Sequence, residues 1–161
     1  MNTQAFRHFF DYHFSENRVT WDRYVMQLTD AQFVQAAPYS LGSVRNHIVH
    51  LAWVDDTWFS GLRGAPLPEP LDPTTFTDRA SLRAYWDRIE AEMRAYLADL
   101  QDDALFEKPL EGEDEHLIVW QVLLHVVNHG TDHRAQILRM ISDFGIKTVS
   151  QDYIFYVYDH P

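Results

Sequence analysis

Residues 119–144, VWQVLLHVVNHGTDHRAQILRMISDF, carry the reading that decides the fold. Apolar residues return every three or four positions, the mark of an amphipathic helix packed on others. The helix begins around His116 to Val119 and reaches Phe144, where Gly145 is a natural stop. His125, His129 and His133 follow one another at four-residue steps. Two imidazoles at i and i+4 sit one turn apart on the same face and can share a metal ion. Three in a row share one poorly, because the helix turns about 40° over each such step. Neighbours choose the pair. His129 and His133 fall in the stripe of Val122, Val126, Met140 and Phe144, which points to a core, whereas His125 falls beside Gln121, Asn128, Asp132 and Arg139.

Working back along the chain, the same periodicity appears three more times. A first helix is expected from Gln4 to Leu28, with Phe6, Phe10, Phe14, Trp21, Tyr24 and Leu28 on one side, and Thr29-Asp30 offers a cap for one more short turn. A second starts near Ser40 or Ser43, carries Val44, Ile48, Leu51, Trp58 and Leu62, and stops before Gly64 and the prolines at 66, 68, 70 and 73. A third follows Thr77-Asp78 as N-cap, with Leu82, Trp86, Ile89, Met93, Tyr96 and Leu100 inward. The proline-rich connection ahead of it is too stiff and long for a tight hairpin and suits a crossover between helices 2 and 3. The expectation is an all-α four-helix bundle forming one domain over residues 1–161. The acidic run 111–115 reads as a solvated loop, and the aromatic tail SQDYIFYVYDHP as a segment packed on the bundle or on a second subunit.

Composition narrows the function. With 46% hydrophobic residues, 161 residues suffice for one packed core. A net charge of -11 argues against nucleic acid or an anionic membrane as partner, since both need a positive footprint. No cysteine is present, which excludes disulfides, thiolate metal ligands and cysteine nucleophiles. No leader or spanning segment is recognisable, so a cytoplasmic protein is expected. Serine-nucleophile motifs and phosphate-cradling glycine loops are absent. Asp55-Asp56 and Glu90/Glu92 read as a solvated helix face rather than an acid–base pair.

The histidines carry the remaining chemistry. Spacing alone leaves metal binding and plain hydrogen bonding at His129 and His133 equally open. The second helix offers a third ligand, His47 or His50. Periodicity leans to His47, nearer the stripe of Val44, Leu51 and Trp58, but does not decide. His13 lies on the apolar face of the first helix with Asn17 a turn further on, and such a pair either lines a site or bonds to another helix, the second reading being the stronger. His8, His116 and His160 read as surface residues.

Two stretches then bear a resemblance to a known family. Ser40-Leu41-Gly42-Ser43-Val44-Arg45, with His50-Leu51 and Trp58 following, and Leu123 to Ile137 with its core Asn128-His129-Gly130-Thr131-Asp132-His133-Arg134-Ala135-Gln136, resemble the DinB-like (damage-inducible) family of metal-binding four-helix bundles. Phe10-Asp11-Tyr12 and Asp152-Tyr153-Ile154-Phe155-Tyr156 extend the likeness over nearly the whole chain. Ala135 stands where the family usually has glycine, and His13 where it often has asparagine. The resemblance implies metal ligation by His50, His129 and His133, and so favours His50 over His47. Three imidazoles leave open positions on zinc or nickel, the catalytic rather than the structural pattern. The resemblance further implies a thiol S-transferase, in which the metal activates a low-molecular-weight thiol against a small electrophile. A homodimer is also expected. The alternatives are a non-catalytic metal-binding bundle of the stress response, or a metal-dependent hydrolase or isomerase.

Overall fold

The structure, a computed structural model, describes residues 2–76 and 78–160. Among these residues it is helical, with no strand. Helix α1 spans Thr3–Val19, the short α2 Asp30–Val34, α3 Val44–Leu62, α4 Arg79–Asp99, α5 Val119–Asp143 and α6 Tyr153–Asp159. Helix α3 packs on α4 and α5, and α1 packs on the same two, so the long helices enclose one core. The apolar stripes read from the sequence meet there: Phe6, Phe10 and Phe14 of α1, Ile48 and Leu51 of α3, Leu82 and Ile89 of α4, and Val122 and Val126 of α5 are all buried.

Local chemistry sets the boundaries. The Ser43 hydroxyl accepts from Asn46 N at 3.1 Å and opens α3, and the Asp78 carboxylate accepts from Ser81 N at 2.7 Å and opens α4. Both satisfy amide groups that a helix start leaves unpaired. Thr77, the other half of the expected cap, lies outside the described residues. Gly145 takes φ 83 just past α5, a conformation costly for any residue with a Cβ.

The first helix departs from expectation. It does not run unbroken to Leu28: after Val19 the backbone widens to a π turn over Thr20–Tyr24 and then tightens to a 3-10 turn over Val25–Gln27. The π turn takes in one extra residue, and with it Thr20 as well as Trp21, Tyr24 and Val25 are buried. The charged residues read as a solvated face are also corrected. Asp55, Asp56 and Glu90 are buried because partners on other helices reach them: Arg88 and Tyr85 hold Asp56, Arg18 holds Glu90 beside Arg94 of its own helix, and His13 faces Asp55.

The connection after α3 contains a 3-10 turn at Pro73–Thr75, and the Trp53 indole donates to the Pro68 carbonyl at 3.4 Å. The tail lies on the chain's own first helix, with the Tyr153 ring 5.1 Å from Phe9 and 5.2 Å from Tyr12. His8, read as a surface residue, is half-covered by Tyr153 and Tyr156 of α6. No helix among the described residues is long and apolar enough to cross a membrane.

Candidate metal centre

Helices α3 and α5 pack face to face and bring their histidines to one point. One ring nitrogen from each of His50, His129 and His133 lies within 4.8 Å of those of the other two. His50 Nε2 stands 3.2 Å from His129 Nε2, and the His129 and His133 rings are 4.4 Å apart at their centroids. All three are half-buried, with one side toward solvent.

The other histidines fall around this group. His47 is fully buried, as its place in the apolar stripe requires, and its Nδ1–H donates to the Ser43 carbonyl at 2.7 Å. Its Nε2 lies 3.2 Å from Gln136 Oε1, and its ring 5.8 Å from His133. Gln136 in turn accepts from the Ser40 hydroxyl at 2.6 Å and donates to Asp132 at 3.0 Å, so the loop before α3 is tied to α5 beside the cluster. His125 is exposed and meets Trp58 edge-on at 5.1 Å. His13 bonds across to another helix, as the stronger of its two readings expects. Arg134 Nη1 donates to His13 Nδ1 at 3.1 Å and to Asn17 Oδ1 at 2.8 Å. The other edge of the His13 ring faces Asn17 Nδ2 at 3.1 Å and Asp55 Oδ2 at 3.5 Å.

Behind the cluster is therefore a buried polar layer that sequence reasoning missed. Arg134 is wholly buried, with Nε donating to Gln151 Oε1 at 3.1 Å and Nη2 to Thr131 Oγ1 at 3.2 Å. Gln151 reaches on to Thr20 Oγ1 at 3.1 Å, in the π turn of the first helix. The layer links α1, α5 and the tail through side chains whose lone pairs and protons are largely satisfied, which a buried charge needs. The one available signal was spacing, since Arg134 falls four residues after Gly130, eight after Val126 and three before Ile137, all on the buried side of α5. Gly130 makes room for the layer, because His13 occupies the space where a side chain at position 130 would stand.

Electrostatics favour the ligand form of the imidazoles. Burial, followed by the charges of His133, His50, His125 and His13, drives His129 down to about 3. Burial and then His47 lower His50, and burial, His50 and His47 lower His133. Three rings that repel each other's protons present lone pairs at neutral pH.

The donor set fits a divalent ion. Two nitrogens held ~2.0–2.1 Å from one tetrahedral ion stand roughly 3.3 Å apart, close to the 3.2 Å between His50 and His129. The buried Nδ1 atoms of His129 and His133 also lack hydrogen-bond partners among the described residues. An all-imidazole set suits zinc or nickel.

Comparison with known proteins gives one match and one blank. The DinB family model matches residues 1–160. No curated protein matches the chain.

Proposed function

The chain belongs to the DinB family, and on that premise we propose that His50, His129 and His133 hold one divalent metal ion, zinc or nickel, at the centre of a thiol S-transferase. The four long helices are read as a four-helix bundle, with residues 1–161 forming one domain. The observation that carries the proposal is the meeting of three neutral, half-exposed imidazoles from two helices. Closed structural zinc sites use four protein ligands, whereas three with solvent access is the pattern of a centre that takes a further ligand.

Held by His50, His129 and His133, such an ion would supply Lewis-acid chemistry, lowering the pKa of a bound thiol or water toward neutral pH. The residues of the chain do the rest. His129 and His133 are set by their places on one face of α5, and His50 by the packing of α3 against it. The buried Arg134 layer fixes α5 from behind, and the exposed side of the cluster admits a low-molecular-weight thiol and a small electrophile. With no cysteine in the chain, the thiol comes from outside. A cytoplasmic setting keeps such a thiol reduced. The exposed Ile154, Phe155 and Tyr158 support a homodimer.

The test is thiol consumption with monochlorobimane, whose chloride the sulfur displaces, using bacillithiol, mycothiol and glutathione in turn. Metal-loaded protein should accelerate conjugation of one of them, and the metal-free protein and His129→Ala should not. A stoichiometrically loaded protein inert with all three thiols would overturn the transferase reading while leaving the metal site standing.

A further inference from the structure

A cavity of about 270 Å³ opens about two turns along α3 from His50 of the histidine cluster. Trp58 and Gly61 of α3 form one wall, Leu67 of the proline-rich connection and Leu110 of the loop before α5 form the others, and Glu111 and Asp114 stand at its edge. Glycine at 61 keeps the space open. A Cβ there would lie 2.7 Å from Leu110 Cδ2 and 3.8 Å from Leu67 Cδ2, so a longer side chain fills the gap between α3 and the loop. An apolar cavity of roughly 150 Å³ is enough for benzene, so this one takes a single ring with a short substituent.

Its charge is one-sided. Both titratable residues lining it, Glu111 and Asp114, are exposed carboxylates. Between Glu107 and Glu115 the loop carries five acids against one base, Lys108. An anion entering this mouth meets repulsion, while a cation gains both the carboxylates and the neighbouring indole. The cavity also communicates with the cluster ring by ring: Trp58 meets His125 at 5.1 Å, and His125 meets His129 at 5.6 Å.

We propose that this cavity binds the apolar body of a small organic cation, with the ring between Trp58, Leu67 and Leu110 and the positive group toward Glu111 and Asp114. The role of that cation as the molecule processed at the histidine cluster rests on the metal-centre reading, but its binding does not. An acidic thiol is poorly suited to this mouth, so the cavity belongs to the other reactant.

Titrations of benzyltrimethylammonium, benzyl alcohol and benzoate, followed by the NMR signal of the Trp58 indole N–H (assigned with Trp58→Phe), test the proposal on the full chain. The cation should shift that signal saturably and bind roughly tenfold tighter than benzoate. Gly61→Leu should abolish the shift with metal content unchanged. In case that variant folds poorly, Glu111→Gln with Asp114→Asn, both exposed, should leave the fold intact and remove the preference for the cation. Absence of saturable binding, equal affinity for benzoate, or undiminished preference in the double variant would each overturn the proposal. Running the titration on metal-loaded and metal-free protein separates the two readings. Cation binding by a chain that takes up no metal refutes only the metal centre, and metal uptake without cation binding refutes only the cavity.

Discussion

Replacing Gly130 by alanine adds one methyl group where α5 faces α1. An ideal Cβ at this position overlaps His13 Cε1 and stands 2.7 Å from His13 Nδ1 and 2.9 Å from Arg134 Nη1. Neither neighbour has room to retreat: both are 0% exposed, and they are bonded to each other at 3.1 Å. In an open helix the same substitution stabilises by about 1 kcal/mol, since glycine is a poor helix former. Here overpacking costs roughly 1–3 kcal/mol, and loss of the arginine–imidazole bond costs a further ~1.5–3 kcal/mol, the range for bonds to charged groups. The balance is a destabilisation near 3 kcal/mol, within a span of about 1.5–5. At this chain length that lowers Tm by roughly 6–12 °C. Urea unfolding of the metal-free protein, followed by far-UV circular dichroism, measures it. The cause is isolated by repeating the substitution in a His13→Ala background, where the obstructing ring is gone and the two changes should couple strongly. A Gly130→Ala protein as stable as its parent, or an equal loss with and without His13, would refute the steric argument.

Three further outcomes follow from the centre. His133→Ala should lose bound metal by elemental analysis, whereas His125→Ala, whose exposed ring lies against Trp58, should keep a full equivalent. Chelation should leave the helical dichroism in place, because the core is independent of the ion, and lower Tm by roughly 5–10 °C if the metal had been present at about a hundred times its Kd. Because His129 is held at about 3 when folded, against an ordinary imidazole value near 6.5, the unfolded chain takes up a proton there that the folded chain does not. The stability of the metal-free protein should therefore fall as pH drops below about 6.5, and less so in His129→Ala. A Tm independent of pH between 7 and 4.5 in the parent protein would contradict the lowered value.

Much of this arrangement was legible in the sequence, because periodicity reports burial directly. The four long helices, the Ser43 and Asp78 caps and the inward stripe of α5 needed nothing but spacing and cap chemistry. The π turn at Thr20–Tyr24 escaped because an i→i+5 stretch leaves no periodic trace, and the residues after it still fall on the expected side. Asp55, Asp56 and Glu90 escaped for another reason. Their burial depends on Arg88, Arg18 and His13 arriving from other helices, and such pairing is invisible until the helices are placed. His47 and His50 show what periodicity omits at a site. The centre of the stripe sends His47 into the core, against Ser43 and Gln136. The edge of the stripe turns His50 along the seam with α5, where the other imidazoles are within reach. The family motif carried that distinction.

Metal content in a matched pair of variants tests the assignment most directly. His47→Ala and His50→Ala, each loaded with zinc and with nickel, desalted and submitted to elemental analysis beside the parent protein, differ by a single helical turn. The account predicts one equivalent in the parent and in His47→Ala, and loss of the ion from His50→Ala with its helical dichroism intact. A full equivalent retained by His50→Ala, or loss confined to His47→Ala, would contradict it.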